Sequence, residues 1–285
     1  MLEPGASVAD FAIVARAGMG ASCEVYEARH LSSGRRAAVK VLHDAFCLEP
    51  GIIARFRQEA RALARFRHPR LVEALASGDL PDGPPFVILE WLPIDLERAL
   101  RDVGGRLDAP VALRVATQIA EGLAALHAEG MVHRDLKPAN VLATGDDLAV
   151  AELKLADLGL AKVPQVESVG SRTPFEHVST DGRAALGTWE YMAPEQWIGS
   201  KDVDARADVY ALGALLFQLL TGRPPFVAEG AKDWMFRHLF DPPEMDLLDG
   251  LVAPALLDLM ARMLSKGVSQ RPSLGEIQAH LGKAG

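Results

Sequence analysis

Apolar positions follow two different rhythms along the chain. Between residues 11 and 90 they come in short blocks and alternations, the period of strands, broken by one helical stretch. Phe11–Arg16 and Glu24–His30 are predicted strands flanking a glycine-bearing turn, and Arg36–Leu42 is a third, with Ala37, Ala38, Val39, Lys40 and Val41 at its centre. Residues 50–66 predict a helix, because Ile53, Phe56, Ala60, Leu63 and Ala64 recur at helical spacing. Leu71–Ser77 and Pro85–Glu90 complete the strands of this half. Beyond residue 95 the pattern turns helical. Asp108 is placed to cap a helix with Pro110 in its first turn, and the stripe Val111, Val115, Ile119, Leu123 and Leu126 carries it toward Gly130. Further helices are expected at 205–221, stopped by Gly222, at Pro254–Leu264 and at Leu274–Leu281. Residues 131–200 form a long loop-rich stretch, and such stretches are usually functional.

Composition narrows the classes. The chain has 285 residues, 49% hydrophobic and 24% charged, which fits a globular protein and excludes a disordered one. Thirty basic residues against 38 acidic ones give a net charge of -8, which argues against nucleic acid and anionic membranes as partners. Cys23 and Cys47 make neither a disulfide framework nor a zinc pattern, so a reducing, cytoplasmic setting is expected. The amino terminus lacks the basic start and apolar stretch of a secretion signal. The longest notable uncharged apolar run, residues 209–222, is shorter than the roughly 18 residues of a membrane span and is expected to be a buried core helix.

Three groups of residues carry candidate chemistry. Gly18 and Gly20, with Met19 between them and Ala21, Ser22 and Cys23 after, lie between two predicted strands. Glycines there let backbone amides approach phosphate oxygens, although the segment alone reads equally well as a plain hairpin turn. A dinucleotide fingerprint would need a helix directly after the glycines, and a strand follows instead. Lys40 stands inside an apolar strand, where a lysine either snorkels to solvent or meets a specific anion. Glu59 on the next helix is its candidate partner, unless that carboxylate pairs with Arg55 on its own helix. The third group is His133, Arg134, Asp135, Leu136, Lys137, Pro138, Ala139 and Asn140, followed by Asp157, Leu158 and Gly159 and then by Ala193, Pro194 and Glu195.

Taken in order, these segments resemble the eukaryotic-type Ser/Thr protein kinases, and most nearly their bacterial branch: a glycine-rich loop, a strand lysine, a helix glutamate, an HRDxxxxN loop, a DFG-like segment and an APE segment. The resemblance covers about residues 11–282. It implies a two-lobed α+β fold, with a small antiparallel sheet lobe and one helix at 11–90, a hinge at 91–94 and a larger, mostly helical lobe at 95–282. It implies ATP and Mg2+ in a single crevice, where side chains from Lys40 to Asp157 converge. Residues 17–25 would fold over the triphosphate, with Ala17, Gly18 and Gly20 in the loop. Lys40, held by Glu59, would contact the α- and β-phosphates. Val25 and Ala38 would roof the adenine and Leu142 would floor it, Leu89 would guard the rear, and Glu90 to Leu92 would pair with its edge. Asp135 would take or orient the proton of the substrate hydroxyl, Lys137 would neutralise the transferring phosphate, and Asn140 and Asp157 would hold magnesium. Lys137, with Gly187 and Thr188, points to serine and threonine in protein substrates. Asp208 would steady the catalytic loop, and Arg271 would pair with Glu195.

Three departures from the family pattern stand out: Cys23 at a usual glycine, Ala17 at a usual large aliphatic residue, and Leu158 at a usual phenylalanine, where it is expected to stack with Leu63 and His133. The segment from Asp157 to Glu195 holds Ser168, Ser171, Thr173, Ser179 and Thr180. Autophosphorylation is expected at Thr180 or Ser179, with Thr173 next, in a homodimer, and Arg134 is the cation to receive the phosphate. The alternatives are a pseudokinase that binds nucleotide or a scaffold partner without turnover and, with less support, a small-molecule phosphotransferase. Because the sequence stops soon after the last expected helix, no sensor domain is expected within it.

Overall fold

The computed structural model describes residues 2–20, 22–65, 67–81, 83–157, 189–199 and 203–284. The chain divides into two compact units, the first running to Leu92 and the second beginning at Pro93.

The first unit contains strands β1 (Ser7–Val8), β2 (Phe11–Met19), β3 (Cys23–His30) and β4 (Arg36–Leu42), helix α1 (Pro50–Arg65), and strands β5 (Ala74–Asp79) and β6 (Pro85–Glu90). They form one antiparallel sheet in the order β1-β2-β3-β4-β6-β5. Alternation divides this sheet into two faces with different tasks. Tyr26, Ala28, Ala37, Val39, Val41, Phe86 and Ile88 point to one side, where Val8, Phe11 and Ile13 join them in a buried cluster. Each large aliphatic or aromatic side chain buried there contributes about 1.5–3 kcal/mol. Val25, Ala38 and Lys40 alternate with these residues and point to the opposite face.

Several boundaries differ from the sequence reading; helix Leu274–Ala284, for one, runs past the expected end at Leu281. Strand β2 continues past Arg16 to Met19, because its pairing with β3 resumes after a bulge between Arg16 and Gly18. The strand expected from Leu71 begins at Ala74 and ends at Asp79; Leu71 and Val72 are apolar because they are buried in the approach to it.

In the second unit come strand β7 (Ile94–Asp95), helices α2 (Leu96–Asp102) and α3 (Ala109–Ala128), strands β8 (Val141–Ala143) and β9 (Leu153–Leu155), and helices α4 (Pro194–Trp197), α5 (Arg206–Thr221), α6 (Ala231–Phe240), α7 (Pro254–Met263) and α8 (Leu274–Ala284). Strands β7, β8 and β9 form a small antiparallel sheet. Asp108 precedes α3 and Pro110 lies in its first turn, as expected, but the Asp108 side chain makes no capping hydrogen bond. Helix α5 is buried on every side from Ala207 to Phe217, which accounts for the uncharged run that begins at Val209. A Cβ on Gly213 would come within 2.9 Å of the Met263 Cβ, so this glycine lets α7 approach. Gly222, at φ 83°, ends the helix in the left-handed region. Among the described residues, no helix is long and apolar enough to cross a membrane.

A buried ion pair fastens α4 to the turn before α8. Arg271 Nη1 and Nη2 donate to the two carboxylate oxygens of Glu195 at 2.6 and 2.8 Å. Its remaining donors reach the carbonyls of Arg206 and Ser265, both at 2.9 Å, and its guanidinium lies over the Tyr210 ring. Removing one partner of such a pair strands a buried charge. Arg271→Met is expected to lower unfolding stability by about 3–5 kcal/mol, measured by urea denaturation. Adding Glu195→Leu should recover part of that loss, and a single variant as stable as the parent would show that the pair does not hold α4.

His238 is wholly enclosed beside Trp197, Trp234 and Phe226, and its Nδ1 shares a 2.8 Å hydrogen bond with the Tyr210 hydroxyl. Burial, and secondarily the charge of Lys266, push its pKa down to about 3. Between that value and the ordinary 6.5 the unfolded chain binds a proton that the folded chain refuses, so stability falls as pH drops through this window. This one group is expected to make the protein about 2 kcal/mol less stable at pH 5 than at pH 7. The urea midpoint at the two pH values measures it, and His238→Gln should flatten the slope.

Candidate functional site

The first unit supplies a row of residues across three strands. Gly18 of β2 pairs with Val25 of β3, and Val25 pairs with Lys40 of β4. Strand neighbours lie about 4.8 Å apart, and directly opposed side chains share a face. Val25 and Lys40 therefore stand side by side on the face away from the apolar cluster. Ala38 lies two residues back on β4, and its partner across the ladder on β6 is Leu89. Ala17 occupies the bulge of β2. Among the described residues, and apart from its chain neighbours, no atom lies within 4 Å of where a Cβ on Gly18 would be, so their packing does not demand glycine there. Gly20 N donates to Cys23 O at 2.8 Å and closes the turn.

Lys40 lies within reach of the α1 carboxylate, its Nζ standing 3.8 Å from Glu59 Oε1, with both side chains largely buried. Lys40, one of the partners the sequence offered to Glu59, is thus in place beside it. At the end of β6, the Glu90 carboxylate accepts from Glu73 N at 2.8 Å. Arg36 stacks its guanidinium over the Trp91 ring, and Leu92 closes the unit.

The second unit builds its site around Asp208, in the first turn of α5 and 1% exposed. The carboxylate accepts from His133 N and Arg134 N, both at 2.8 Å, and pairs with His127 Nε2 at 2.7 Å. It thereby holds Arg134 at φ 62°, a left-handed conformation that a long side chain seldom adopts. His133 is fully buried, and Asp135 N donates to its Nδ1 at 3.3 Å, so the other ring nitrogen carries the hydrogen and donates to Ala156 O at 3.1 Å. A short 3-10 turn, Pro138–Asn140, then brings Asn140 back onto Asp135. Asn140 Nδ2 donates to the Asp135 carbonyl at 2.8 Å and to its carboxylate Oδ2 at 3.0 Å. Lys137 Nζ stands 3.4 Å from the same Oδ2.

The hairpin of β8 and β9 brings in the last member. Its register pairs Val141 with Leu155, and Ala156 N extends the ladder by donating to Asn140 O at 2.9 Å. Asp157, the next residue, thus lies beside Asn140 with φ 53°. Because the Asn140 NH2 is directed at Asp135, its amide oxygen faces elsewhere, and it and the Asp157 carboxylate are hard oxygen donors of the kind magnesium takes. Magnesium is usually held by one or two protein oxygens together with substrate phosphates, so this donor set fits the ion. No cluster of three or more His, Cys, Asp or Glu side chains suited to a metal occurs among the described residues. Leu142, in β8, pairs with Asp95 and Lys154.

Sequence reasoning missed three supports. His127, in the last turn of α3, pairs with Asp208. Gln118 interrupts the apolar face of α3 and is 3% exposed; its amide donates to Ala151 O and accepts from Leu153 N, fixing the start of β9. Gln196 of α4 donates to Arg134 O at 2.9 Å. The signal available for Gln118 was a polar residue beside an otherwise apolar stripe. Leu158, Gly159, Ser168, Ser171, Thr173, Ser179, Thr180, Gly187 and Thr188 lie outside the described residues.

Comparison with known proteins agrees with this arrangement. The sequence profile described as "Protein kinase domain" matches residues 11–281. The chain is 37% identical over 268 residues to the serine/threonine-protein kinase Pkn1 of Myxococcus xanthus, covering 94% of this chain and 37% of that protein. It is 36% identical over 288 residues to the DNA damage-responsive serine/threonine-protein kinase RqkA of Deinococcus radiodurans, covering 98% and 40%. It is 35% identical over 261 residues to the serine/threonine-protein kinase PknH of Mycobacterium tuberculosis, covering 91% and 38%. The chain thus spans well under half the length of each of these relatives. With a profile match over nearly its whole length and the glycine turn, Lys40–Glu59 pair and Asp135–Asn140 loop in place, this chain belongs to the protein kinase domain family.

Proposed function

We propose that this chain is a serine/threonine protein kinase that moves the γ-phosphoryl group of Mg-ATP to hydroxyls of protein substrates. The observation that carries the reading is the three-residue cluster in one turn: a single Asp135 carboxylate oxygen placed against Lys137 Nζ and Asn140 Nδ2. Phosphoryl transfer asks the protein mainly for positioning and charge stabilisation, and this cluster offers both. The substrate oxygen bonds to the γ-phosphorus while the bond from that phosphorus to the β–γ bridging oxygen breaks and ADP departs. Asp135 orients the attacking hydroxyl and receives its proton. Lys137, beside it, offsets charge on the transferring group.

Asn140 and Asp157 would hold magnesium, which when bound neutralises phosphate charge. Lys40, kept by Glu59, is assigned to the α- and β-phosphates, with the turn at Ala17, Gly18 and Gly20 over the triphosphate. The adenine is assigned to Val25, Ala38 and Leu142, and to the backbone from Glu90 to Leu92. The kinase domain is assigned to residues 11–282, with 11–90 binding nucleotide, 91–94 as the hinge and 95–282 carrying catalysis and the protein substrate. Autophosphorylation is assigned to Thr180, Ser179 or Thr173, in a pair of copies, in the cytoplasm, where two free cysteines stay reduced.

Labelled ATP offered with a generic protein acceptor tests this reading. Asp135→Asn is expected to reduce transfer by about 10²–10⁴-fold, the usual contribution of a positioned proton acceptor. Lys40→Met should reduce it as well. Equal transfer by parent and Asp135→Asn would overturn the enzyme reading in favour of a nucleotide-binding scaffold, and label on an aminoglycoside instead of protein would assign a small-molecule phosphotransferase.

A further inference from the structure

Just past the end of β4 stands a histidine that neither the sequence reading nor the family pattern used. The β3–β4 ladder ends with Cys23 opposite Leu42. The next residue, His43, extends it by one rung, its backbone N donating to Ser22 O at 2.8 Å. Its side chain then reaches further, and its Nε2 stands 2.9 Å from the carbonyl oxygen of Gly20. A carbonyl only accepts, so Nε2 carries the hydrogen and donates it. The His43 backbone is itself fixed, because it precedes the 3-10 turn Asp44–Phe46 and its carbonyl accepts from Phe46 N at 2.9 Å.

We propose that His43 is a positioning residue that tethers the tip of the glycine-rich turn to the strand carrying Lys40. The inference rests on the kinase reading for the turn's role over phosphate. Gly18 and Gly20 have no side chain to pack their part of the turn down, so the location of Gly20 rests on backbone bonds and on tethers. Gly20 N already closes the turn onto Cys23 O, but that bond is internal to the hairpin. The His43 ring ties the tip to a different element. Lys40 lies three residues back on that element, so the tether fixes the turn's amides and the Lys40 ammonium against a common reference. Nucleotide binding to a turn placed in advance loses less freedom, and the gain appears in affinity for ATP, not in the chemical step. Glutamine reproduces the Nε2 donor at similar reach, whereas phenylalanine keeps the ring and removes the donor.

The experiment compares parent, His43→Phe, His43→Leu and His43→Gln. Steady-state transfer gives KM for ATP and kcat, and binding of a fluorescent ATP analogue gives Kd without turnover. A thermal melt selects the folded variants; the backbone bond to Ser22 O survives in all of them. Loss of one hydrogen bond predicts KM and Kd raised about three- to tenfold in the Phe and Leu variants, with kcat within about twofold of the parent. His43→Gln should lie within about twofold of the parent on every measure. Parent-like Kd and KM in a folded Phe or Leu variant would overturn the tether. So would a fall in kcat at unchanged KM, or a glutamine variant as impaired as the phenylalanine one. If the parent transfers no phosphate, the kinase reading fails while the Kd comparison still decides the role of His43.

Discussion

Everything in the second unit's site hangs from one buried carboxylate. Asp208 takes two backbone N–H groups and a histidine into a space closed to water, where each unmet donor would cost about 1–3 kcal/mol. Its own position is secured by α5, a helix buried on every side, and a carboxylate in a helix's first turn is favoured by the helix dipole. What the carboxylate holds is a strained backbone: Arg134 at a positive φ turns the chain so that Asp135 and Lys137 follow in reach of each other. Such conformations persist only where their surroundings over-determine them. Here the surroundings do so from both sides. Asp208 takes the Arg134 N–H, and Gln196 donates to the Arg134 carbonyl from α4, which Arg271 and Glu195 fasten in turn.

The first unit solves a different problem with simpler means. A sheet needs one face buried to be stable, and alternation gives the other face to function at no further cost. Val39 and Val41 fill the apolar cluster while Ala38 and Lys40, between them, face away. A slip of one residue in register would exchange these roles entirely, so the core that specifies the register also specifies where the lysine points.

Much of this was legible in the sequence, and the exceptions share a cause. Long helices declared themselves, α3 by the apolar spacing of its 20 residues and α5 by the uncharged apolar run of a 16-residue helix buried all round. The sequence motifs named Asp135, Asn140 and Asp157; the structure bonds Asn140 to Asp135 and, through the β8–β9 hairpin, sets Ala156, the residue before Asp157, against Asn140. What stayed hidden are elements too short to show a period, such as β1 and β7 at two residues each and α2 at seven, which exist because neighbours pair with or cap them. Helix α6 mixes charged and aromatic residues, with Phe236 and Phe240 exposed, and so blurs its stripe. The supporting residues were hidden for a related reason. His127 and Asp208 lie 81 positions apart, and nothing in a local window links a polar residue to a partner that distant.

Two buried ion pairs in the chain are built differently, and the difference follows from what each has to do. Arg271 and Glu195 meet through two short parallel bonds, and the guanidinium's other donors are spent on two carbonyls, a geometry that fixes both distance and angle. That suits a joint that must not move. Lys40 Nζ and Glu59 Oε1 meet at 3.8 Å. An ammonium is a compact charge on a flexible stem, so such a contact sets its place without fixing its direction. For a residue assigned to phosphate the looser pairing is the useful one, because a carboxylate that gripped the lysine as Glu195 grips Arg271 would compete with the nucleotide for the same charge. An arginine at position 40 would keep the charge and lose this property, since its planar fork would favour the bidentate geometry that the lysine avoids.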